Sequence, residues 1–185
     1  FVPVAMKDES AHAPGAQEAV KIAALLAAVA APDYSPFIVL ADNNGSDAVR
    51  TKNAGRITPD MGLSNAEWAV FARGAEGVAK AVKQETGLRT AFHHHCAGYI
   101  ETPDEIAELL KRTDPGLLGL VFDTGHFAYG AGDRDGSRTR EGFDRFADRI
   151  WHMHFKDCSP DIANEAQANG WDYFQAVGRG VFCEL

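Results

Sequence analysis

Six of the seven histidines in this 185-residue chain fall into three short clusters, two of which also contain acidic or basic side chains. The clusters are His93-His94-His95, then Asp123-Thr124-Gly125-His126, and finally His152-Met153-His154 with Lys156 and Asp157 close behind. Neutral imidazoles combined with a carboxylate suit Mn, Fe, Co, Ni or Zn far better than Ca or Mg. The residue types therefore indicate a divalent transition-metal site, provided that the fold brings the clusters together.

Each cluster comes at the end of a predicted strand. These three strands are Leu88–His95, Leu117–Asp123 and Ile150–Lys156. In parallel α/β folds the active site lies at the edge of the sheet where the strands end. Because successive strand residues point to opposite faces, His93 and His95 share one side of their strand. His152 and His154 share a side in the same way, so three neighbouring strands could direct imidazoles and a carboxylate at one point.

Each cluster also has a purely structural interpretation. A single histidine at a strand end is more often a hydrogen-bonded structural residue than a ligand. Asp123, with Gly125 two residues on, could form a turn with an Asx hydrogen bond. Lys156 and Asp157 could form an exposed ion pair, which would contribute little to stability. The coincidence of all three clusters at corresponding ends of consecutive strands nevertheless favours a shared metal site.

Other polar residues are weaker candidates for the site. Asp42-Asn43-Asn44, after an earlier strand, could bind substrate hydroxyls or could equally form a turn. Glu101 is expected to be a loop residue rather than a ligand, and Cys158 a structural residue. The segment Gly130–Gly136 lacks the strand–GxGxxG–helix context of a phosphate-binding loop, so we expect a flexible loop there.

Around these clusters, short apolar runs alternate with longer helical segments, the pattern of a parallel α/β fold. Capping boxes at Ser64 and Thr102 mark the starts of two helices, which end near Gly87 and Arg112. The remaining predicted elements are strands at Phe1–Met6 and Phe37–Ala41, helices at Ala16–Ala31, Gly142–Ala147, Ile162–Asn169 and Trp171–Val177, and an extended piece at Val181–Glu184.

These elements give five nearly continuous apolar strands, each followed by helical sequence, as in a parallel sheet covered by helices. A closed eight-stranded barrel needs about 250 residues, so the chain is shorter than one by about three βα units. The length and the apolar content of 45% favour one domain across residues 1–185.

Composition excludes several classes of partner. A net charge of -8 and a pI near 5.3 argue against nucleic acid, whose phosphates require a basic surface. No apolar run approaches the roughly 20 residues of a membrane span. The three cysteines form no CxxC pair, so we expect reduced thiols in a cytoplasmic protein. The sequence leaves homo-oligomer formation open.

Two motifs resemble a known superfamily. GLVFDTGH at Gly119–His126 and RIWHMHFKD at Arg149–Asp157, about 30 residues apart, are similar to the sixth and seventh strands of the xylose-isomerase-like barrels. That superfamily contains sugar isomerases, epimerases and AP-type endonucleases. The resemblance covers nearly the whole chain and implies an incomplete (β/α)8 TIM barrel holding about strands 3 to 7, without the N-terminal and C-terminal βα units.

Within the superfamily, three segments resemble the inosose dehydratase branch of inositol catabolism. The segments are AFHHHCAGYIETPDEI at Ala91–Ile106, RTDPGLLGLVFDTGH at Arg112–His126, and GWDYFQAVGRGVFCEL at Gly170–Leu185. The resemblance implies that Asp123 and His154 are metal ligands and that His126 contacts substrate oxygens. It also implies a further glutamate ligand on an eighth strand, which these residues do not include; Glu184 precedes that strand.

The fifth-strand ligand of the epimerases is a glutamate, and that position falls on His93 here. This departure weakens a two-glutamate epimerase mechanism and favours a dehydratase. The resulting hypothesis is dehydration of a keto-polyol, 2-keto-myo-inositol (inosose), with Mn, Co or Zn bound by His93, Asp123 and His154. The metal would hold the substrate carbonyl and a neighbouring hydroxyl and stabilise an enolate.

The same hypothesis assigns catalytic roles to four further residues. His95 or His126 would be the base or would protonate the departing hydroxyl, because a histidine pKa lies near working pH. Lys156 and Asp157 would orient substrate hydroxyls. The alternatives are a metal-dependent sugar or ketose isomerase or epimerase of the same superfamily, and a sugar-binding barrel without catalysis.

Overall fold

The computed structural model describes residues 1–183, and its backbone alternates strands and helices along nearly the whole length. The strands are β1 Val2–Val4, β2 Phe37–Asp42, β3 Arg89–His93, β4 Leu118–Asp123, β5 Ile150–His154, β6 Asp157–Cys158 and β7 Phe182–Cys183. The helices are α1 His12–Val29, α2 Ala48–Lys52, α3 Asn65–Thr86, α4 Pro103–Arg112, α5 Thr124–Ala131, α6 Ser137–Phe146, α7 Pro160–Asn169 and α8 Tyr173–Gly178.

Strands β1 to β5 form one parallel sheet in chain order. Parallel neighbours need a crossover connection; α1, α3 and α4 lie in the first three connections, and α5 and α6 lie in the fourth, between β4 and β5. Strands β6 and β7 pair separately and antiparallel, with Cys158 opposite Phe182. The prediction of five parallel strands separated by helices is confirmed, and the sheet is consistent with part of a barrel.

The main core lies between this sheet and its helices. Alternate strand residues, including Leu40, Phe92, Leu120 and Phe122, are buried there with α3 residues such as Phe71. Because side chains alternate along a strand, the residues between them face the other side of the sheet. The histidines and aspartate of the predicted site belong to that second set, so the packing of the core fixes which face they occupy.

Local sequence signals define several helix ends. Both predicted capping boxes form, at Ser64 with Glu67 and at Thr102 with Glu105. Gly87 ends α3 in the left-handed conformation, with φ of 73°. A third capping box, which the sequence analysis missed, starts α8. Within residues 1–183, no helix combines the length and the apolar content that crossing a bilayer requires.

Other boundaries differ from the predictions. Helix α1 starts at His12 rather than Ala16, because a proline is tolerated in the first turn, where Pro14 lies. Strand β3 ends at His93, so His95 lies in the following loop. Helix α6 begins five residues before the predicted Gly142. The segment expected to be a flexible loop contributes the end of α5 and then folds around buried Asp133, whose carboxylate accepts backbone hydrogen bonds from nearby amides.

Candidate metal centre

Three side chains meet at the carboxyl edge of the sheet, one from each of the neighbouring strands β3, β4 and β5. His93 Nε2 lies 3.1 Å from Asp123 Oδ2 and 3.0 Å from His154 Nδ1. His154 Nδ1 is 3.5 Å from the same aspartate oxygen. The sheet register produces this convergence, because Asp123 pairs directly with His154 and His93 pairs with the residue two before Asp123.

The spacing of these three atoms fits a bound metal ion. At bond lengths of about 2.1 Å, the ligand atoms of a tetrahedral ion lie roughly 3.4 Å apart. The donor atoms of His93, Asp123 and His154 all lie within 4.8 Å of one another, and the first two residues are buried. Two imidazole nitrogens and one carboxylate oxygen are also the donor types that divalent transition metals prefer.

The protonation states of Asp123 and His154 also suit metal binding. Burial alone would raise the pKa of Asp123, but hydrogen bonds from His93, His126 and Lys156 hold that pKa well below its usual range. Burial, together with the neighbouring His93, lowers the pKa of His154. The cluster therefore presents an ionised carboxylate and, at His154, a neutral imidazole, which is the form that binds metals.

Lys156 and His126 adjoin the cluster. Lys156 Nζ lies 2.9 Å from Asp123 Oδ2, the oxygen that also faces the two histidines. The backbone N–H of His126 donates to the other aspartate oxygen, Oδ1, at 2.9 Å, and the Asp123 side chain thereby caps helix α5. The predicted Asx-type hydrogen bond and the predicted ligand position are thus compatible, because the two oxygens of one carboxylate serve them separately.

His95 and His126 are packed together beside the cluster. Their ring centroids are 4.8 Å apart, and the His95 ring is 3.9 Å from that of His93. Burial, reinforced by the neighbouring histidines, lowers the pKa of His95 to about 2, and burial also lowers the pKa of His126 well below its ordinary value. Both imidazoles are therefore neutral at physiological pH and each offers one N–H and one lone pair.

Two histidines of the clusters lie elsewhere. His94 faces the helices, where it packs against Phe122 and Phe127 and its Nε2 accepts the Asp123 N–H at 3.2 Å. Burial lowers the pKa of His94 to about 3, so it is a neutral core residue. His152 is exposed and lies against Phe37. The structural interpretation of a strand-end histidine therefore holds for His94.

Asp157 and Asp42 do not join the centre. Asp157 is exposed on β6, and within residues 1–183 its side chain makes no hydrogen bond to the cluster. Asp42 is buried, and its carboxylate accepts the backbone N–H groups of Met6 and Tyr99, each at 3.2 Å. Asp42 therefore ties together the loops that follow β1 and β3.

Comparison with known proteins places this geometry in a family. Residues 37–183 match the family model described as a xylose isomerase-like TIM barrel. The chain belongs to the xylose isomerase-like TIM barrel family. The five-stranded parallel sheet and the site at its carboxyl edge agree with that assignment, because barrel enzymes place their chemistry at this edge.

Several relatives in the xylose isomerase-like family share one name. The chain is 36% identical over 120 residues to the inosose dehydratase of Geobacillus kaustophilus, covering 65% of this chain and 37% of that protein. It is 34% identical over 116 residues to the inosose dehydratase of Bacillus cereus, covering 63% of this chain and 37% of that protein. The matched part of the chain thus spans little more than a third of these relatives' length.

One solved structure has the same fold. The crystal structure of the probable 3-DHS dehydratase AsbF of Bacillus anthracis, involved in petrobactin synthesis, superposes with a TM-score of 0.56. The match covers 80% of this chain and 46% of that chain at 16% sequence identity, so it establishes the shared fold alone.

A buried polar network beneath this barrel edge was missed by the sequence analysis. Arg50 is fully buried and forms a bidentate ion pair with Glu105, whose two carboxylate oxygens lie 2.7 and 2.8 Å from the two terminal guanidinium nitrogens. The Nε–H of Arg50 donates to Gly98 O at 2.8 Å. Glu101, expected to be an ordinary loop residue, is also fully buried. The capping box at Glu105 was visible in the sequence, but its partner lies 55 residues away and no local signal links the two.

Aromatic rings close one side of the centre. Phe182, on β7, packs its ring 4.5 Å from that of His126 and lies 5.4 Å from Lys156 Nζ. Tyr129 and Tyr173 flank Phe182, at 5.9 and 6.5 Å between ring centroids. These rings shield His126 and Lys156 from water on that side, which strengthens the electrostatic interactions of the cluster.

Proposed function

We propose that the protein is a divalent-metal-dependent lyase that dehydrates a keto-polyol, with 2-keto-myo-inositol (inosose) as the substrate. The observation that supports this most strongly is the convergence of His93 Nε2, Asp123 Oδ2 and His154 Nδ1 at one point. The inosose dehydratases among its relatives supply the substrate class and the reaction.

The three converging residues would hold the metal, with Mn, Co or Zn as the proposed ion. Their donor atoms have the spacing that a small divalent cation requires, and their softness and charge match these ions. A cation bound there supplies Lewis acidity, which polarises a ketone and makes its α-proton more acidic.

Dehydration of a β-hydroxy ketone removes a proton from the α-carbon and the hydroxyl from the β-carbon, forming a C=C bond and one molecule of water. Two neutral imidazoles, His95 and His126, lie beside the cluster and are proposed to move these protons. Burial lowers the pKa of His95 to about 2, so the expectation of a pKa near working pH is wrong for this residue, and its neutral imidazole is a weaker base than an ordinary histidine.

Lys156 is proposed to stabilise negative charge that develops on a substrate oxygen. Its ammonium group already lies at the edge of the cluster, 2.9 Å from Asp123, in a site partly closed by Phe182. A fixed positive charge in such a place stabilises an anionic transition state without reorganisation. Within residues 1–183 the Asp157 side chain makes no hydrogen bond or ion pair with the cluster, and this proposal does not use it.

The remaining expectations extend the same proposal. The chain is proposed to be part of one barrel domain across residues 1–185, acting on a small sugar or polyol and not on nucleic acid. All three cysteines, Cys96, Cys158 and Cys183, are free thiols, which supports the proposed cytoplasmic location.

The test is a product assay with the metal-loaded protein and inosose in D2O. Loss of one water per substrate and formation of the unsaturated or dione product support the lyase. Deuterium incorporated at a sugar carbon without loss of water would instead identify an isomerase or epimerase. If the protein shows no turnover and does not bind Mn, Co or Zn stoichiometrically, the non-catalytic sugar-binding barrel is the remaining alternative.

The matched control is a pair of aspartate variants. Asp123→Asn changes the proposed ligand but keeps an oxygen that can accept the His126 N–H and cap α5. Asp144→Asn makes the same chemical change at an exposed site on α6. The proposal requires loss of turnover in the first variant and full turnover in the second.

A further inference from the structure

Glu101 is a buried carboxylate that lacks a cationic partner of its own among residues 1–183. The buried guanidinium of Arg50 pairs with Glu105 instead. The two oxygens of Glu101 each accept one backbone N–H, from Gly55 at 2.6 Å and from Ala97 at 2.7 Å. Burying an ionisable group is costly, and burial raises the pKa of Glu101 to about 7. Such a residue needs a use that outweighs the cost.

The hydrogen bond to Ala97 holds an unusual backbone conformation. Ala97 has φ of 65° and is, within residues 1–183, the only residue other than glycine at positive φ. For an L-residue this conformation costs about 1–2 kcal/mol. Gly45 donates to Ala97 O at 2.9 Å, and His95 N–H donates to Ile100 O at 3.2 Å, which closes the loop. The Glu101 carboxylate is thus the side chain that opposes relaxation of this loop.

The loop places a donor against His126. The residue before Ala97 is Cys96, whose backbone N–H donates to His126 Nδ1 at 3.4 Å, and whose thiol contacts His126 O at 3.3 Å. An N–H group can only donate, so Nδ1 must accept. A neutral imidazole that accepts at Nδ1 has its proton on Nε2. The backbone of the loop therefore selects one of the two tautomers of His126.

We propose that Glu101 is a positioning residue that fixes His126 in its Nε2–H tautomer, by holding Ala97 left-handed and so directing the Cys96 N–H at Nδ1. The inference rests on the proposed function only in treating His126 as a group that meets the substrate. Its chemical consequence is that His126 offers an N–H donor, and not a lone pair, to the reacting oxygen.

The test reads the tautomer directly, without substrate. In the full chain labelled with 15N-histidine, the two ring nitrogens of His126 should show the shifts of a single Nε2–H form, with assignment by a His126→Gln variant. Glu101→Gln offers one oxygen to two N–H donors and turns an NH2 group towards the other. We expect mixed tautomers in this variant, and a fall in kcat of about 10- to 100-fold, as for residues that orient a functional histidine.

Two further variants complete the test. Glu108→Gln makes the same chemical change on α4, where Glu108 pairs with Arg112 and Lys111. This control variant should leave the His126 spectrum and kcat unchanged. Ala97→Gly, added to Glu101→Gln, should restore the single tautomer, since glycine adopts positive φ without steric cost. This double variant also serves if Glu101→Gln alone fails to fold.

A folded Glu101→Gln chain that keeps one Nε2–H tautomer overturns the proposal. A folded double variant that stays mixed overturns the route through Ala97. Absence of dehydratase activity in the unmodified protein would count against the proposed function and not against this inference, because the spectrum is measured on the resting site. Metal affinity of Glu101→Gln should stay close to that of the unmodified protein, because the side chain of Glu101 bonds to the backbone of Gly55 and Ala97 and not to the proposed ligands.

Discussion

Lys156 Nζ and the two ring nitrogens of His93 and His154 all approach the same oxygen, Oδ2 of Asp123. A lysine ammonium and a divalent cation are like charges, so they repel each other across this carboxylate. The lysine would therefore weaken binding of the proposed metal in the resting protein. That arrangement is useful only if the ammonium group performs another task, such as stabilising an anionic substrate oxygen.

Replacing Lys156 by methionine should therefore separate binding from turnover. Removing one nearby positive charge is expected to tighten Mn or Zn binding by about 1 kcal/mol, or about fivefold, in this partly exposed position. Turnover should fall by about 100-fold or more, because the electrostatic stabilisation of the transition state is lost. Calorimetric titration with the metal, beside steady-state kinetics, measures both effects. Lys156→Arg keeps the charge and should leave the affinity near its original value.

Asp123→Asn should abolish tight metal binding while the chain stays folded. The amide removes the anionic ligand, and the expected loss in affinity is at least about 100-fold. Its oxygen still accepts the His126 N–H, so α5 keeps its cap and the unfolding transition should move little. Metal content after dialysis and a urea titration give the two readouts. A variant that retains one metal per chain would remove Asp123 from the ligand set.

Glu101 should impose a pH dependence on stability. Its pKa is about 7 in the folded chain against 4.5 for the free side chain, so the folded state binds the proton more tightly. This contribution is fully present below pH 4.5 and is lost as the pH rises through 7; it is on the order of 3 kcal/mol. Urea titrations at pH 5 and pH 8 should show a larger decrease for the unmodified protein than for Glu101→Gln. Equal decreases would contradict the raised pKa.

Arg50→Lys should be strongly destabilising. Lysine cannot form the bidentate ion pair with Glu105 and also donate to Gly98 O, so at least one of these buried acceptors is left unpaired. Breaking a buried pair in this way costs about 3–5 kcal/mol. Arg112→Lys, at the partly exposed pair with Glu108, should cost less than about 1 kcal/mol. Chemical denaturation measures the free energy of unfolding of both variants. Similar decreases would show that the buried pair of Arg50 contributes no more to stability than the partly exposed pair of Arg112.

The sequence predicted those parts of the fold that depend on neighbouring residues. Apolar runs predicted all five strands of the parallel sheet. His95, expected on a strand beside His93, lies in the loop after β3, although its ring still packs 3.9 Å from that of His93. The convergence of His93, Asp123 and His154 followed from their equivalent positions at the ends of adjacent strands. The positions of these residues along the sequence are enough to predict that they converge, since parallel strands bring their carboxyl ends to one edge of the sheet.

Features that depend on distant partners were not predictable in this way. Helix α5 went unpredicted because its sequence, TGHFAYGA, contains two glycines and has low intrinsic helix propensity; it forms because Asp123 caps it and the core buries Phe127. Glu101 was expected to be a loop residue, and no local signal in the sequence singled out Arg50. Only the tertiary fold supplies the backbone groups that make their burial tolerable.

The two oxygens of Asp123 have separate partners, and they connect the candidate metal centre to helix α5. One oxygen faces the histidines, and the other accepts the backbone N–H of His126 in the first turn of the helix. Charge placed on the first oxygen withdraws electron density from the second, so occupancy of the centre should be felt as a change in how firmly residues 124–131 retain their amide hydrogens. Metal binding and the local stability of α5 would then be thermodynamically coupled through the side chain of Asp123.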